Sequence, residues 1–217
     1  MNPESAIPNP HSAIHNPQSP PTVYVVDDDP SVRNVLSRLI QSAGLRVAAF
    51  AAAEDFLKRY APAEGGCLVL DVRLPGQSGM DLQAALCGGK GSLPIIFITG
   101  YGDIPMSVRA MKNGAVDFLA KPFDSHELLA VITIALRQGK EARKRQAAAA
   151  AIRGRVEKLT PREREVMKLV VTGLLNKQIG AELGITEKTV KVHRGRVMQK
   201  MGVTSVAELV RMCGRMD

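Results

Sequence analysis

No uninterrupted apolar run in the 217-residue chain approaches the roughly 20 residues that span a bilayer, so a membrane-crossing helix is excluded. The first residues lack the basic start, apolar stretch and small-residue cleavage site of a secretory signal, and a cytoplasmic protein with no membrane partner is expected. Cysteine is scarce: Cys67, Cys87 and Cys213 have neither disulfide parity nor metal-ligand spacing and read as free thiols in a reducing compartment. Acidic residues are outnumbered as well, 21 against 29 Lys/Arg, for a net charge of +8. The imbalance is local. Residues 1–135 hold 10 basic and 13 acidic side chains, a net −3, whereas 136–158 carry +6 and 159–217 carry +5. Such asymmetry points to a polyanion partner for the second half, nucleic acid being the usual one.

Residues 1–21 are mostly Pro, Asn, Ser, His and Ala and cannot bury enough apolar surface to offset ordering, so a disordered tail is expected. From Thr22, short β-like runs (23–26, 46–50, 67–70, 95–98 and 118–120) alternate with helical patterns at Pro30–Ser42, Ala53–Arg59, Met80–Leu86, Pro105–Asn113 and Ser125–Arg137. That alternation predicts an α/β domain over 22–137, a doubly wound five-stranded parallel sheet. Residues 138–158, with the alanine run 147–151 between basic residues, read as a largely helical linker whose ends Gly139 and Gly154 weaken. A small all-α domain over 159–217 follows. It starts at a capping box, Thr160-Pro161-Arg162-Glu163, and continues with helices at 177–183, 187–201 and 206–213.

Four apolar runs end in polar residues of one chemistry: Asp27 and Asp28, then Asp71, then Thr99, then Lys121. In an open α/β sheet the strand ends along one edge form the binding crevice, so these residues should meet in space. Converging carboxylates repel unless a cation joins them, and oxygen ligands favour a hard ion, Mg²⁺ above all. Asp71, at the head of a loop, is the expected nucleophile toward a phosphoryl donor, with the metal, Lys121 and Thr99 neutralising the phosphoryl oxygens. Asp29, just before Pro30, reads as a helix N-cap. Arg73 and Tyr101 flank the site.

The segments Val25-Val26-Asp27-Asp28-Asp29, Leu70-Asp71-Val72-Arg73-Leu74-Pro75, Ile98-Thr99-Gly100 and Lys121-Pro122-Phe123 resemble the CheY-like receiver domain of two-component response regulators. The resemblance implies a sensor histidine kinase as phosphoryl donor and Asp71 as acceptor. It implies Asp28 as a direct Mg²⁺ ligand, Asp27 acting largely through water, and the Arg73 carbonyl completing the set. It also implies Thr99 and Phe118 as a switch pair, and a cis bond between Lys121 and Pro122.

In the second domain a helix, a Gly-containing turn and a second helix form the arrangement that places the second helix in a major groove. That helix carries Lys188, Lys191, Arg194 and Lys200, with Thr189, Val192, His193 and Arg196, while Val190 and Val197 are spaced to face the core. His193 has no nearby ligand partners and reads as a packing or phosphate-contact residue. Leu159 to Val166, Gly173 to Ile179 and Thr189 to His193 resemble the LuxR-type helix-turn-helix. With the receiver, the chain resembles the NarL/FixJ family. By that resemblance Lys191 and Val192 contact bases of double-stranded promoter DNA, and Lys188, Thr189, Arg194 and Arg196 contact phosphates or neighbouring bases. The family also implies a homodimer formed on phosphorylation through Val108, Lys112 and Asp117, with RNA polymerase a further partner.

The function expected is thus a phosphorylation-dependent transcription regulator, not an enzyme beyond assisting its own phosphorylation and dephosphorylation. Two alternatives compete with it. A Mg²⁺-dependent aspartyl-phosphate phosphatase of the haloacid-dehalogenase type would need an acid two residues after the nucleophile, where this chain has Arg73. Phosphorylation-independent DNA binding would leave the intact acidic set without a role.

Overall fold

The computed structural model describes residues 20–62, 65–87, 93–100 and 104–214. The expected tail lies outside them apart from Pro20 and Pro21, as does Tyr101. The strands are β1 (Thr22–Val26), β2 (Arg46–Phe50), β3 (Gly66–Asp71), β4 (Ile95–Thr99) and β5 (Asp117–Ala120), all parallel, in the order β2-β1-β3-β4-β5. The helices between and after them are α1 (Pro30–Ser42), α2 (Ala53–Arg59), α3 (Gly79–Cys87), α4 (Ile104–Lys112) and α5 (Ser125–Glu157).

Strands β1, β3 and β4 are buried along their whole length because helices cover both faces of the sheet. Successive side chains point to opposite faces and so divide between two cores. Val23, Val25, Val69, Ile96 and Ile98 meet Leu36 and Ile40 of α1 and Leu128 and Ile132 of α5. Tyr24, Val26, Leu68, Leu70 and Phe97 meet Phe56 of α2, Leu82 of α3 and Ala110 of α4. The doubly wound sheet expected from the apolar runs is therefore present. The spans of β2, α1 and α2 are as expected, and the other sheet elements up to α4 shift by no more than one residue at either end.

The fifth helix differs. It runs unbroken from Ser125 to Glu157, through the expected domain limit at Arg137. Gly139 does not weaken a helix end: it is buried, and a Cβ there would lie 3.1 Å from both the Gly66 carbonyl oxygen and Pro94 Cγ. Glycine at that point lets the helix approach the start of β3 closely, which offsets its poor helix propensity. The chain divides into two units between Ala142 and Arg143.

The second unit contains the end of α5 and helices α6 (Pro161–Val171), α7 (Asn176–Leu183), α8 (Glu187–Met201) and α9 (Val206–Cys213) around a core that includes Ile152, Val166, Ile179, Val190, Val197 and Leu209. The expected capping box forms, with Glu163 N–H donating to Thr160 Oγ1 at 3.3 Å and Thr160 N–H donating to Glu163 Oε2 at 2.8 Å. The same carboxylate, 2 % exposed, accepts from Lys200 Nζ at 2.6 Å, fastening α8 to the start of α6. The Lys200 hydrogen bond, with that from the Thr160 amide, holds the Glu163 carboxyl below its ordinary range.

One close approach in the first unit sets the position of the β3 end. The amide of Gly79 donates to the Val72 carbonyl at 3.0 Å, and a Cβ at position 79 would overlap the Asp71 carbonyl oxygen. Gly79→Ala is therefore expected to destabilise the protein by about 1–3 kcal/mol, the usual range for overpacking. Urea denaturation checks this as a lowered midpoint at unchanged slope.

Candidate functional site

Register brings the polar residues together at the carboxyl edge of the sheet. Val26 pairs with Leu70 across β1 and β3, so Asp27 and Asp71 follow at the same level; Asp71 itself pairs with Ile98 and Thr99 with Ala120. The Lys121 amide then extends the ladder by donating to the Thr99 carbonyl at 2.7 Å. Asp27, Asp28 and Asp71 each place an oxygen within 4.8 Å of the others. The side chains of Asp27, Asp28, Asp71 and Lys121 meet there, Thr99 ends the neighbouring strand at the same edge, and the Lys121–Pro122 bond is cis.

Lys121 bonds two of the three carboxylates. Its Nζ donates to Asp27 Oδ2 at 2.7 Å and to Asp71 Oδ2 at 2.6 Å. Asp71 Oδ1 accepts the Arg73 amide at 2.9 Å, and Asp27 Oδ1 accepts the Asp29 amide at 2.9 Å. Asp28 is exposed, and among the described residues its carboxylate has no hydrogen bond or ion pair. An all-oxygen set with a surplus of negative charge suits a hard divalent cation. Burial raises the Asp27 pKa despite the Lys121 and Asp29 hydrogen bonds that oppose the rise. Burial works against the Lys121 charge, but the Asp27 and Asp71 hydrogen bonds prevail and raise its pKa.

Thr99 is 1 % exposed, and the half-buried Phe118 ring lies 6.2 Å from that of Phe97. Asp29 is the expected N-cap, its Oδ1 accepting the Ser31 amide at 2.7 Å. Val108 and Lys112 are exposed on α4, and Asp117 is half-buried at the start of β5. Two backbone contacts beside the acids are absent from the sequence reading. Gly79 makes one; Arg33, whose Nη1 donates to the Asp27 and Asp28 carbonyls at 2.7 and 2.8 Å, makes the other. Nothing in the spacing of a basic residue on an amphipathic helix signals such a bond, although helix periodicity does place Arg33 one turn beyond Asp29. Cys67, whose thiol burial pushes up to about 12, is inert in the core.

In the second unit, α7 ends at Gly184 in the left-handed conformation (φ 65°), and a Cβ on Gly180 would lie 2.8 Å from the Ile185 carbonyl oxygen. The two glycines permit the tight turn into α8. Thr186 caps that helix, its Oγ1 accepting the Thr189 amide at 3.2 Å and lying 2.9 Å from Thr189 Oγ1. Val190 and Val197 are buried as expected, whereas Lys188, Lys191, Val192 and Arg196 are exposed on α8. Lys188, Lys191 and Arg196 have no hydrogen bond or ion pair among the described residues. Arg194 differs: it is half-buried and Nη1 donates to Asn176 Oδ1 at 2.8 Å. Lys200 is likewise engaged, by Glu163. His193 is half-buried, its Nδ1 without a partner among the described residues.

Both sites have counterparts in known proteins. Residues 23–133 match the response regulator receiver domain, and residues 157–213 match the LuxR family of bacterial regulatory proteins. Nodulation protein W of Bradyrhizobium diazoefficiens is 53 % identical over 190 residues, covering 88 % of this chain and 84 % of that protein. The chain belongs to the NarL/FixJ family of response regulators. Among solved structures, the response regulator StyR is 48 % identical with a TM-score of 0.78, covering 91 % of this chain and all of that one. Full-length FixJ from B. japonicum is 43 % identical with a TM-score of 0.54, covering 90 % of this chain and 97 % of that one. A receiver joined to a LuxR-type DNA-binding domain makes this response regulator a phosphorylation-dependent transcriptional regulator.

Removing Lys121 isolates the electrostatics of the acidic edge. A carboxyl whose pKa is raised on folding binds its proton more tightly in the native state, so stability falls as pH rises from the unfolded value of 3.8 through the raised native one. Lys121→Met deepens this effect by leaving buried carboxylates without their cation. The variant should lose about 1–3 kcal/mol at neutral pH, a range typical of a buried group stripped of its partner. The deficit should narrow as acidification protonates Asp27, and urea denaturation across that pH range measures it.

Proposed function

We propose that Asp71 accepts a phosphoryl group from a phosphohistidine of a sensor kinase, and that the modified protein pairs on promoter DNA read by α8. The observation that carries this reading is the meeting of Asp27, Asp28 and Asp71 at one sheet edge, with Lys121 bonded to two of them. One Asp71 oxygen attacks phosphorus and forms an acyl phosphate. The bond from phosphorus to the donor imidazole breaks, its electron pair staying on nitrogen. Asp27, Asp28, Asp71 and the Arg73 carbonyl would hold Mg²⁺, which when bound neutralises charge on the phosphoryl group. Lys121, already beside Asp71 Oδ2, offers its ammonium to a second phosphoryl oxygen. The Thr99 hydroxyl serves a third, drawing Phe118 into a new position.

Pairing through α4 and β5 fits their surface. Ile104, Val108 and Met111 are exposed apolar residues on one helix, and Lys112 with Asp117 offers opposite charges nearby in the chain. A two-fold dimer reads a roughly palindromic site. On α8 the unengaged Lys188, Lys191 and Arg196 supply charge for phosphates and bases, Val192, 49 % exposed, supplies an apolar contact, and Thr189 supplies a hydroxyl. Arg194 contributes at the edge of this face from its place beside Asn176. These roles belong to a cytoplasmic protein with promoter DNA and a histidine kinase as partners.

Asp71→Asn is expected to abolish labelling by a small phosphodonor with Mg²⁺ while leaving the circular dichroism spectrum unchanged. Phosphodonor-dependent dimerisation surviving in that variant would contradict the assignment. Lys191→Ala is expected to weaken binding to duplexes selected by the phosphorylated protein by about tenfold, the scale of one lost base-edge contact. Phosphorylation of Lys191→Ala should proceed at the normal rate.

A further inference from the structure

We infer that Arg33 is a positioning residue for the cation site, acting on the peptide groups that carry the acids and not on the acids themselves. Its side chain and main chain together hold three consecutive carbonyls. Nη1 donates to the Asp27 carbonyl at 2.7 Å and to the Asp28 carbonyl at 2.8 Å, while the Arg33 amide donates to the Asp29 carbonyl at 3.1 Å. The peptide segment between the end of β1 and the start of α1 is thereby pinned from one residue of the helix it leads into.

The choice of acceptor matters. A guanidinium beside several carboxylates would ordinarily form a bidentate ion pair. Here, among the described residues, Arg33 bonds main-chain oxygens only, and the ion pair to Asp27 comes from Lys121. Asp28 consequently keeps an unengaged carboxylate on a backbone that cannot swing away. Divalent cations of small radius demand near-ideal octahedral placement of their oxygens. A ligand loop fixed before binding avoids the ordering cost that a mobile one would meet. Against this stands the charge of Arg33, which on its own would disfavour a cation nearby. Positioning and charge therefore predict opposite outcomes when Arg33 is removed.

The inference rests on the cation reading of the acidic cluster, which a Mg²⁺ titration of the unmodified full chain by calorimetry tests separately. Arg33→Met keeps an unbranched apolar stem and removes the charge and both side-chain hydrogen bonds; Arg33→Lys keeps a charged donor. Positioning predicts that Arg33→Met weakens Mg²⁺ binding roughly three- to tenfold, the span of one net hydrogen bond, and that Arg33→Lys recovers part of the loss. It also predicts, without any metal, faster amide hydrogen exchange in the peptide covering residues 24–33 of Arg33→Met. Unchanged or tighter Mg²⁺ binding by Arg33→Met would overturn the inference in favour of a purely electrostatic or structural role. Weaker binding with unaltered exchange would overturn it as well. Absence of Mg²⁺ binding by the unmodified chain would overturn the cation reading, and this inference with it.

Discussion

Carboxylates crowded at the end of a parallel sheet are the constraint on which the first domain turns. Asp27 is buried and Asp71 nearly so, and their mutual repulsion is relieved by a single ammonium at 2.7 and 2.6 Å. Lys121 can serve both only because β5 lies at the sheet edge beside β4, where the Lys121 amide continues the ladder onto Thr99. Sheet order is thus part of the electrostatics: strands β1, β3 and β4 bring two acids and a hydroxyl side by side, and β5 brings the cation. The same arrangement leaves an excess of negative charge at Asp28, which a divalent ion can complete.

The backbone around that edge is held by contacts that lie outside the acidic cluster itself. Gly79 allows α3 to begin against the Asp71 carbonyl, and Asp29 caps α1 by accepting the Ser31 amide. Each fixes where a helix starts relative to the strand before it. Because the carboxylates sit on these junctions, the start of a helix and the position of a carboxylate are one quantity. Functional residues on short junctions between rigid elements gain precision from the elements themselves.

Much of this is legible in the chain itself. Five apolar runs with alternating helices specify a doubly wound sheet, and placing Asp27, Asp71, Thr99 and Lys121 at run ends is enough to predict their meeting, since parallel strands present the same end to the same edge. Asp29 before Pro30 and Thr160 before Pro161 declare helix starts through local hydrogen bonds, which is why both caps are readable. Interactions that depend on tertiary approach are not. Gly139 looks in sequence like a helix weakener, and only its proximity to the Gly66 carbonyl and Pro94 explains it. Arg33 looks like a helix-surface charge, because the direction of a long side chain toward main-chain oxygens has no periodic signature.

The DNA-binding unit shows the same division between pattern and placement. Periodicity separates the buried Val190 and Val197 from the exposed Lys191 and Val192, as a single α-helix must. It does not distinguish among the basic residues of α8, which fall into two physical groups. Lys200 is tied to the capping-box carboxylate of α6 and Arg194 to Asn176 at the start of α7. Their charges are engaged in docking α8 onto the two preceding helices. Lys188, Lys191 and Arg196 are exposed and have no hydrogen bond or ion pair among the described residues. A net count of positive charge on the helix therefore overstates the charge left unpaired within the fold, and only charge placed on phosphates enters the salt dependence of DNA binding.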